Sequence, residues 1–173
     1  MMKKNKKTIF STFFLLAPCI VCLIIFSFFF SSCNTIDLYE RNVAIPKQEW
    51  ISSFKPQFKF IIKDTTQPYQ VYIILRHNDK YNYNNIWVNL YTQAPADSIQ
   101  KVQYELPLAS KEKGWLGSAM DDIYEHRISI TPQNQSLYFK KSGEYTFTIE
   151  QIMREDPLQN ILNVGLRIEK KPQ

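Results

Sequence analysis

The sequence predicts an all-β protein, a single antiparallel β-sandwich of immunoglobulin-like or jelly-roll type, lying behind an N-terminal signal segment. Three observations predict it. Beyond residue 54, apolar side chains recur at every second position in one short run after another, the period of a strand with one buried face. Prolines at 56, 68, 95, 107, 132 and 157 fall between these runs or at their ends, where no ladder donor is lost. Seven to nine such runs fit into about 120 residues, a density that favours two packed antiparallel sheets and leaves little room for helix.

The chain opens with "MMKKNKK", four lysines and no acid, and residues 9–30 then carry no charge. That order is a secretory signal's. Twenty-two apolar residues at the helical rise would span roughly 33 Å, so length alone leaves an uncleaved anchor open. The small pair Ser31-Ser32 before Cys33 favours cleavage, because signal peptidases need small side chains just before the cut. "FSSC" resembles the lipobox of bacterial lipoproteins, whose cysteine is acylated and becomes the first residue; Phe30 stands where Leu is usual. Residues 1–32 are therefore read as a lipoprotein signal peptide, 33–53 as the lipidated Cys33 and its tether, and 54–173 as the sandwich domain.

The tether mixes charges with few periodic apolar positions and ends in a short edge strand around Trp50. Period 2 then takes over. "QFKFIIKD" alternates Phe58, Phe60 and Ile62 with Lys59 and Lys63; "VYIILRH" sets Val71, Ile73 and Leu75 on one face; "NIWVNLY" sets Ile86, Val88 and Leu90 against Trp87, Asn89 and Tyr91. "SIQKVQYEL", "HRISI" and "SLYF" continue the theme. In "EYTFTIEQI" and "ILNVGLRIE", Tyr145, Phe147 and Ile149, and Leu162, Val164, Leu166 and Ile168, alternate with polar neighbours. Two places read as short helical turns: Ser118 to Tyr124, which lacks clean alternation, and "REDPLQN", an acidic start followed by a proline suited to a first turn.

Charge and cysteine usage exclude several functions. Four of the 21 basic residues precede Cys33 and none of the 16 acids does, which leaves the body at a formal +1. A pI near 9 is thus no sign of nucleic-acid binding, since no basic excess remains for counterion release to act on. Cys19 and Cys22 lie in the leader, so the body beyond Cys33 has no thiol for a disulfide, a thiolate metal site or a nucleophile. The domain must hold together by its core.

Catalytic and metal motifs are weak. "GWLGSAM" approaches a nucleophile elbow, but Leu116 and Met120 stand where Gly-x-Ser-x-Gly needs glycines around Ser118. His77 and His126 are the two histidines, and a Ser and His pair would have to converge from distant segments. Asp121, Asp122, Glu125 and His126 gather hard ligands within six residues but lack the alternate spacing of a calcium loop, and read as solvated loop charge. No catalytic residue, cofactor or metal ligand is expected. Aromatics make a better case: "YNYNNIWVNLY" alternates rings with asparagines as a binding face does, although such rings also stabilise ordinary sheets. Trp87, Tyr91 and Trp115 are the candidate rings for a surface glycan-binding sandwich. The loop "MREDPLQN" places Arg154, Glu155 and Asp156 together between two predicted strands, where loops carry function, and these are the candidate partner-binding residues.

Three stretches carry a resemblance: "DTTQPYQVYIILRHNDKYNYNNIWVNLY", "KGWLGSAMDDIYEHRI" and "GEYTFTIEQIMREDPLQNILNVGLRIEK". They resemble the gliding motility lipoprotein GldH family of the Bacteroidota, most specifically at Gln67-Pro68-Tyr69, Arg76, Tyr83, Asn85, Gly114-Trp115-Leu116-Gly117, Met153-Arg154 and Val164-Gly165-Leu166-Arg167. The resemblance implies a non-enzymatic envelope lipoprotein, an assembly or scaffold component of the gliding and type IX secretion apparatus. It further implies anchorage in a membrane, the outer one, through acyl chains on Cys33, with other gliding or secretion lipoproteins and envelope proteins as partners.

Overall fold

The structure, a computed structural model, describes residues 39–131, 135 and 137–171; Cys33 and the signal segment lie outside the described residues. Among the described residues thirteen strands follow in order: β1 (Tyr39–Ala44), β2 (Glu49–Trp50), β3 (Gln57–Ile62), β4 (Tyr69–Asn78), β5 (Asn85–Gln93), β6 (Gln100–Pro107), β7 (Ala109–Ser110), β8 (Gly114–Trp115), β9 (Ser118–Met120), β10 (Ile123–Ser129), β11 (Gly143–Gln151), β12 (Leu158–Gln159) and β13 (Ile161–Lys170). A five-stranded sheet has the order β1-β13-β4-β10-β9 and a four-stranded sheet the order β3-β11-β5-β6. Every pairing is antiparallel. Two small ribbons pair β2 with β12 and β7 with β8.

The predicted sandwich is what forms, and alternation drives it. Phe58, Phe60 and Ile62 of β3, Tyr145, Phe147 and Ile149 of β11, and Ile86, Val88 and Leu90 of β5 are all buried. They meet Val71, Ile73 and Leu75 of β4 and Val164, Leu166 and Ile168 of β13 in one continuous core. Removing this apolar area from water, at roughly 25 cal/mol per Å², is the dominant favourable term in a body with no covalent staple. Phe60 sits at the centre of a ring cluster, with centroids 5.1–5.8 Å from Tyr39, Phe139, Tyr145 and Phe147. On the five-stranded sheet Gly165 lies opposite Asn42 of β1, and a Cβ there would overlap Asn42 Oδ1 and meet the Arg41 backbone oxygen at 2.9 Å, so this one position of the β1–β13 pairing has no room for a side chain as Asn42 now lies.

Four expectations need correction. Residues 39–50 are not tether: β1 pairs with β13 from Tyr39↔Ile168 to Ala44↔Asn163, and Trp50 is fully buried. Alternation was hidden because Arg41 occupies the position between the inward Tyr39 and Val43. The segment expected to turn helically at Ser118 to Tyr124 is instead the β9–β10 hairpin, in which Asp121 takes a φ of 53°, a left-handed conformation that Asp tolerates. "REDPLQN" ends in β12, paired with β2, rather than in a helical turn. The described helix is a 3-10 turn at Pro46–Gln48. "SLYF" contributes an isolated bridge, Tyr69 with Leu137, and not a strand.

Candidate functional site

The strands expected to carry function project their polar and aromatic residues from the outer face of the four-stranded sheet. On β5 that face carries Trp87, Asn89 and Tyr91, because Ile86, Val88 and Leu90 are drawn into the core. Glu150 of β11 stands opposite Asn89. Its carboxylate accepts hydrogen bonds from the Tyr91 hydroxyl at 2.5 Å and the Asn89 amide at 2.9 Å, and pairs with the Lys55 ammonium at 2.6 Å. Lys55 and Lys101 sit 5.7 and 5.5 Å from the centroid of the Tyr91 ring, in cation–π range. Burial alone would raise the Glu150 pKa, but the bonds from Lys55, Tyr91 and Asn89 and the Lys55 charge outweigh it and hold the carboxyl at about 2.

That balance sets a pH dependence. A folded pKa below the unfolded value means a stabilising contribution that is full above about pH 4.5 and fades as pH falls towards 2. Glu150→Gln is expected to lose about 1–2 kcal/mol at pH 7, a figure discounted because Lys55 is partly solvent-screened. The gap between the two proteins should shrink by about half by pH 3 and close towards pH 2. Urea unfolding at these pH values checks this, and a gap that persists at low pH would mean that the loss is packing and not charge.

A corner follows directly. Beyond β11 the Ile152 amide donates to the Trp87 carbonyl at 3.0 Å and the Trp87 amide to Met153 Sδ at 3.3 Å, so the corner backbone continues alongside β5. Fully buried Gln151 joins three segments: its Nε2 donates to the Trp50 carbonyl at 3.1 Å and its Oε1 accepts from the Met153 amide at 2.8 Å. Asp156 accepts from the Ser52 amide at 2.8 Å and the Ser52 hydroxyl at 2.6 Å, and these bonds hold its carboxyl below the usual range. Glu155 accepts from the Tyr83 hydroxyl at 2.9 Å. The Asp156–Pro157 peptide is cis.

The three candidate partner-binding residues thus divide. Glu155 and Asp156 fasten neighbouring segments, while Arg154 is exposed and has no ion pair or hydrogen bond among the described residues. Of the candidate glycan rings, Trp87 and Tyr91 share the β5 face, both half-buried, and the Trp87 backbone bonds to the corner. Trp115 stands apart: its ring contacts are His77 at 4.4 Å, Tyr124 at 5.5 Å, and Tyr81 and His126 at 6.4 Å.

Sequence reasoning missed the cluster around Trp115. His77 of β4 and His126 of β10 are both buried, their Nε2 atoms 2.9 Å apart. His77 Nδ1 lies 2.7 Å from the Asn78 carbonyl, which can only accept, so Nδ1 carries the proton and His77 Nε2 is left to accept from His126 Nε2–H. Both rings are neutral. The signal was available, because His77 shares the parity of Val71, Ile73 and Leu75, and His126 that of Ile128 and Ile130. Parity also disperses the acidic cluster: His126 points inward while Glu125 points outward between Arg76 and Arg127, 2.8 Å from Arg127 Nε.

These features define the class, an antiparallel β-sandwich presenting a rigid face of interlocked aromatic and charged groups beside a protruding corner. The model of a family described as GldH lipoprotein matches residues 37–168, and the chain belongs to that family. A gliding motility lipoprotein GldH homolog from Christiangramia forsetii is 28% identical over 82% of this chain and 88% of its own length. The gliding motility lipoprotein GldH of Flavobacterium johnsoniae is 24% identical over 81% and 89%. Membership makes this a lipid-anchored protein of the cell envelope, as the signal segment and Cys33 led one to expect. A solved carbohydrate-binding module described as specific for non-crystalline cellulose superposes with a TM-score of 0.41 at 10% identity, over 75% of this chain and 70% of that one. So loose a likeness has no bearing on function.

Proposed function

We propose that this chain is a non-enzymatic assembly or scaffold component of the gliding motility and type IX secretion apparatus. Acyl chains on Cys33 hold it to the outer membrane; two or more chains anchor stably where one is marginal. The observation that carries the docking role is the division of labour at the corner. Glu155 and Asp156 are spent on Tyr83 and Ser52, so the loop is rigid, and Arg154 is left projecting with its five guanidinium donors uncommitted. An exposed, uncommitted arginine next in sequence to Met153, whose Sδ accepts from the Trp87 amide, has the composition of an interface anchor, and its complement is an acidic or carbonyl-rich surface on another envelope protein.

Crosslinking in the intact envelope followed by recovery of the full lipoprotein tests the role. Other gliding or secretion proteins should be recovered with the unaltered chain, and Arg154→Glu should cut that recovery at least about tenfold, the scale of losing one anchor of 1.4 kcal/mol or more. Thermal unfolding and membrane attachment should stay unchanged. Undiminished recovery with Arg154→Glu would remove the corner from the proposal. Recovery of polysaccharide alone would favour the glycan-binding reading through Trp87 and Tyr91. That reading is the weaker, since the Tyr91 hydroxyl and Asn89 amide already serve Glu150.

A further inference from the structure

The two sheets end differently on their open side. β6 is the last strand of the four-stranded sheet and pairs with β5 alone, so eight consecutive residues leave one row of backbone donors and acceptors unpaired among the described residues. Such an edge invites another strand unless something blunts it. Beside it lies a cavity of about 480 Å³, lined on the β6 side by Val102 and Tyr104 and across from it by Ile130 and Phe139. Val102 is 45% exposed and Ile99, just before β6, 60%. An apolar lip along an unpaired edge is costly to leave in water.

We propose that the edge is closed by a second copy of this chain, β6 pairing antiparallel with the partner's β6 in a register centred on Gln103. A two-fold axis normal to the sheet keeps both buried faces on one side and sets one residue opposite its own copy. With Gln103 at that centre, Lys101 faces the partner's Glu105, twice by symmetry, and the two glutamines face each other. On the inner face Val102 meets the partner's Tyr104. Neighbouring registers lose this. Centring on Val102 puts Glu105 opposite the partner's Ile99, and centring on Tyr104 puts Lys101 opposite the partner's Pro107.

The charges are available for the pairing. Lys101 lies over Tyr91 and Glu105 accepts one bond from Asn85 at 2.6 Å, and neither forms an ion pair among the described residues. The other long edges lack this self-complementarity. The outer face of β3 offers Gln57, Lys59 and Ile61 with no acid, and on β1 Glu40 is already bound to Arg167 at 2.6 Å. Confinement to a membrane raises the effective concentration of so small an interface.

Single-cysteine crosslinking of the full lipoprotein in its own envelope tests the register. The body beyond Cys33 has no other cysteine. Residues directly opposite in an antiparallel pair have Cα atoms about 4.5–5.5 Å apart, within disulfide reach. Mild oxidation of Gln103→Cys should give a covalent dimer of this chain. Glu105→Cys alone should not, whereas Lys101→Cys and Glu105→Cys chains produced together should join to each other. In the Gln103→Cys background, Lys101→Glu should reduce dimer about three- to tenfold by setting like charges opposite, and adding Glu105→Lys should restore it. Thermal unfolding of every variant should match the unaltered chain, as expected for outward positions on an edge. No dimer from either cysteine design, equal crosslinking at 103 and 105, or a bond from Gln103→Cys to a different protein would each overturn the proposal.

Discussion

Trp50→Ala is expected to lower the free energy of unfolding by about 3–5 kcal/mol, the largest single-site loss predicted for this chain. The indole is fully buried in the core beside Leu158, and its Nε1–H donates to the Phe54 carbonyl at 2.8 Å. Truncation therefore removes apolar contacts, opens a cavity and strips a carbonyl of its donor. The backbone around it carries the corner: β2 pairs Trp50 with Leu158, and Gln151 donates to the Trp50 carbonyl. Loss of the indole should accordingly loosen the Ser52–Asp156 contact and the presentation of Arg154 along with global stability. Trp50→Phe keeps most of the volume and loses the hydrogen bond, and should lose only about 1–2 kcal/mol. Denaturant unfolding of both variants checks the pair, and a loss below about 1 kcal/mol for Trp50→Ala would return residues 39–50 to the role of a tether.

Acid is expected to weaken the domain well above the range in which carboxylates titrate. Burial, with the neighbouring His77 ring, holds His126 at about 4, and burial lowers His77 as well. In the unfolded chain both would titrate near 6.5, so the unfolded state binds more protons across that interval and stability falls as pH falls. The contribution is full above pH 6.5, declines between 6.5 and 4, and levels off below. For His126 alone the loss between pH 7 and pH 5 is about 2 kcal/mol. The structural reason is burial first, which strips either imidazolium of water, with repulsion between the two rings adding to it for His126; for His77, a proton on its accepting Nε2 would also set two N–H groups against each other at 2.9 Å. Tyr81, Trp115 and Tyr124 surround the pair with rings, and the carboxylate nearest in sequence, Glu125, points away to Arg76 and Arg127. His126→Gln, whose amide can still donate to His77, should flatten the dependence between pH 7 and 5 in urea titrations. An unchanged slope would place the acid sensitivity elsewhere.

Those two sites show where sequence reading stops. Trp50 was legible as an aromatic near an edge strand, but its burial depends on a partner 108 residues away, Leu158, which no local pattern names. The histidines had the right parity for the core, yet nothing along the chain says that β4 and β10 are neighbours. Their pairing follows from sheet order. Likewise "MREDPLQN" announced a corner, while the fates of its charges were set by Ser52 and Tyr83 arriving from elsewhere.

What the sequence determined by itself was everything carried by local chemistry: the lysine-then-apolar leader, the small residues before Cys33, the thiol-free body, and the period-2 alternation that yields a two-sheet core. What only the tertiary structure decided was which outward residues meet. Trp87 and Tyr91 came to one face of β5, with the Trp87 backbone bonded to the corner at Ile152 and Met153, Trp115 went to the histidines, and β6 was left with an open edge. The physical reason is range. Burial of alternate side chains is a property of a strand and its own pattern, whereas ion pairs, shared protons and free edges depend on register between strands far apart in the chain.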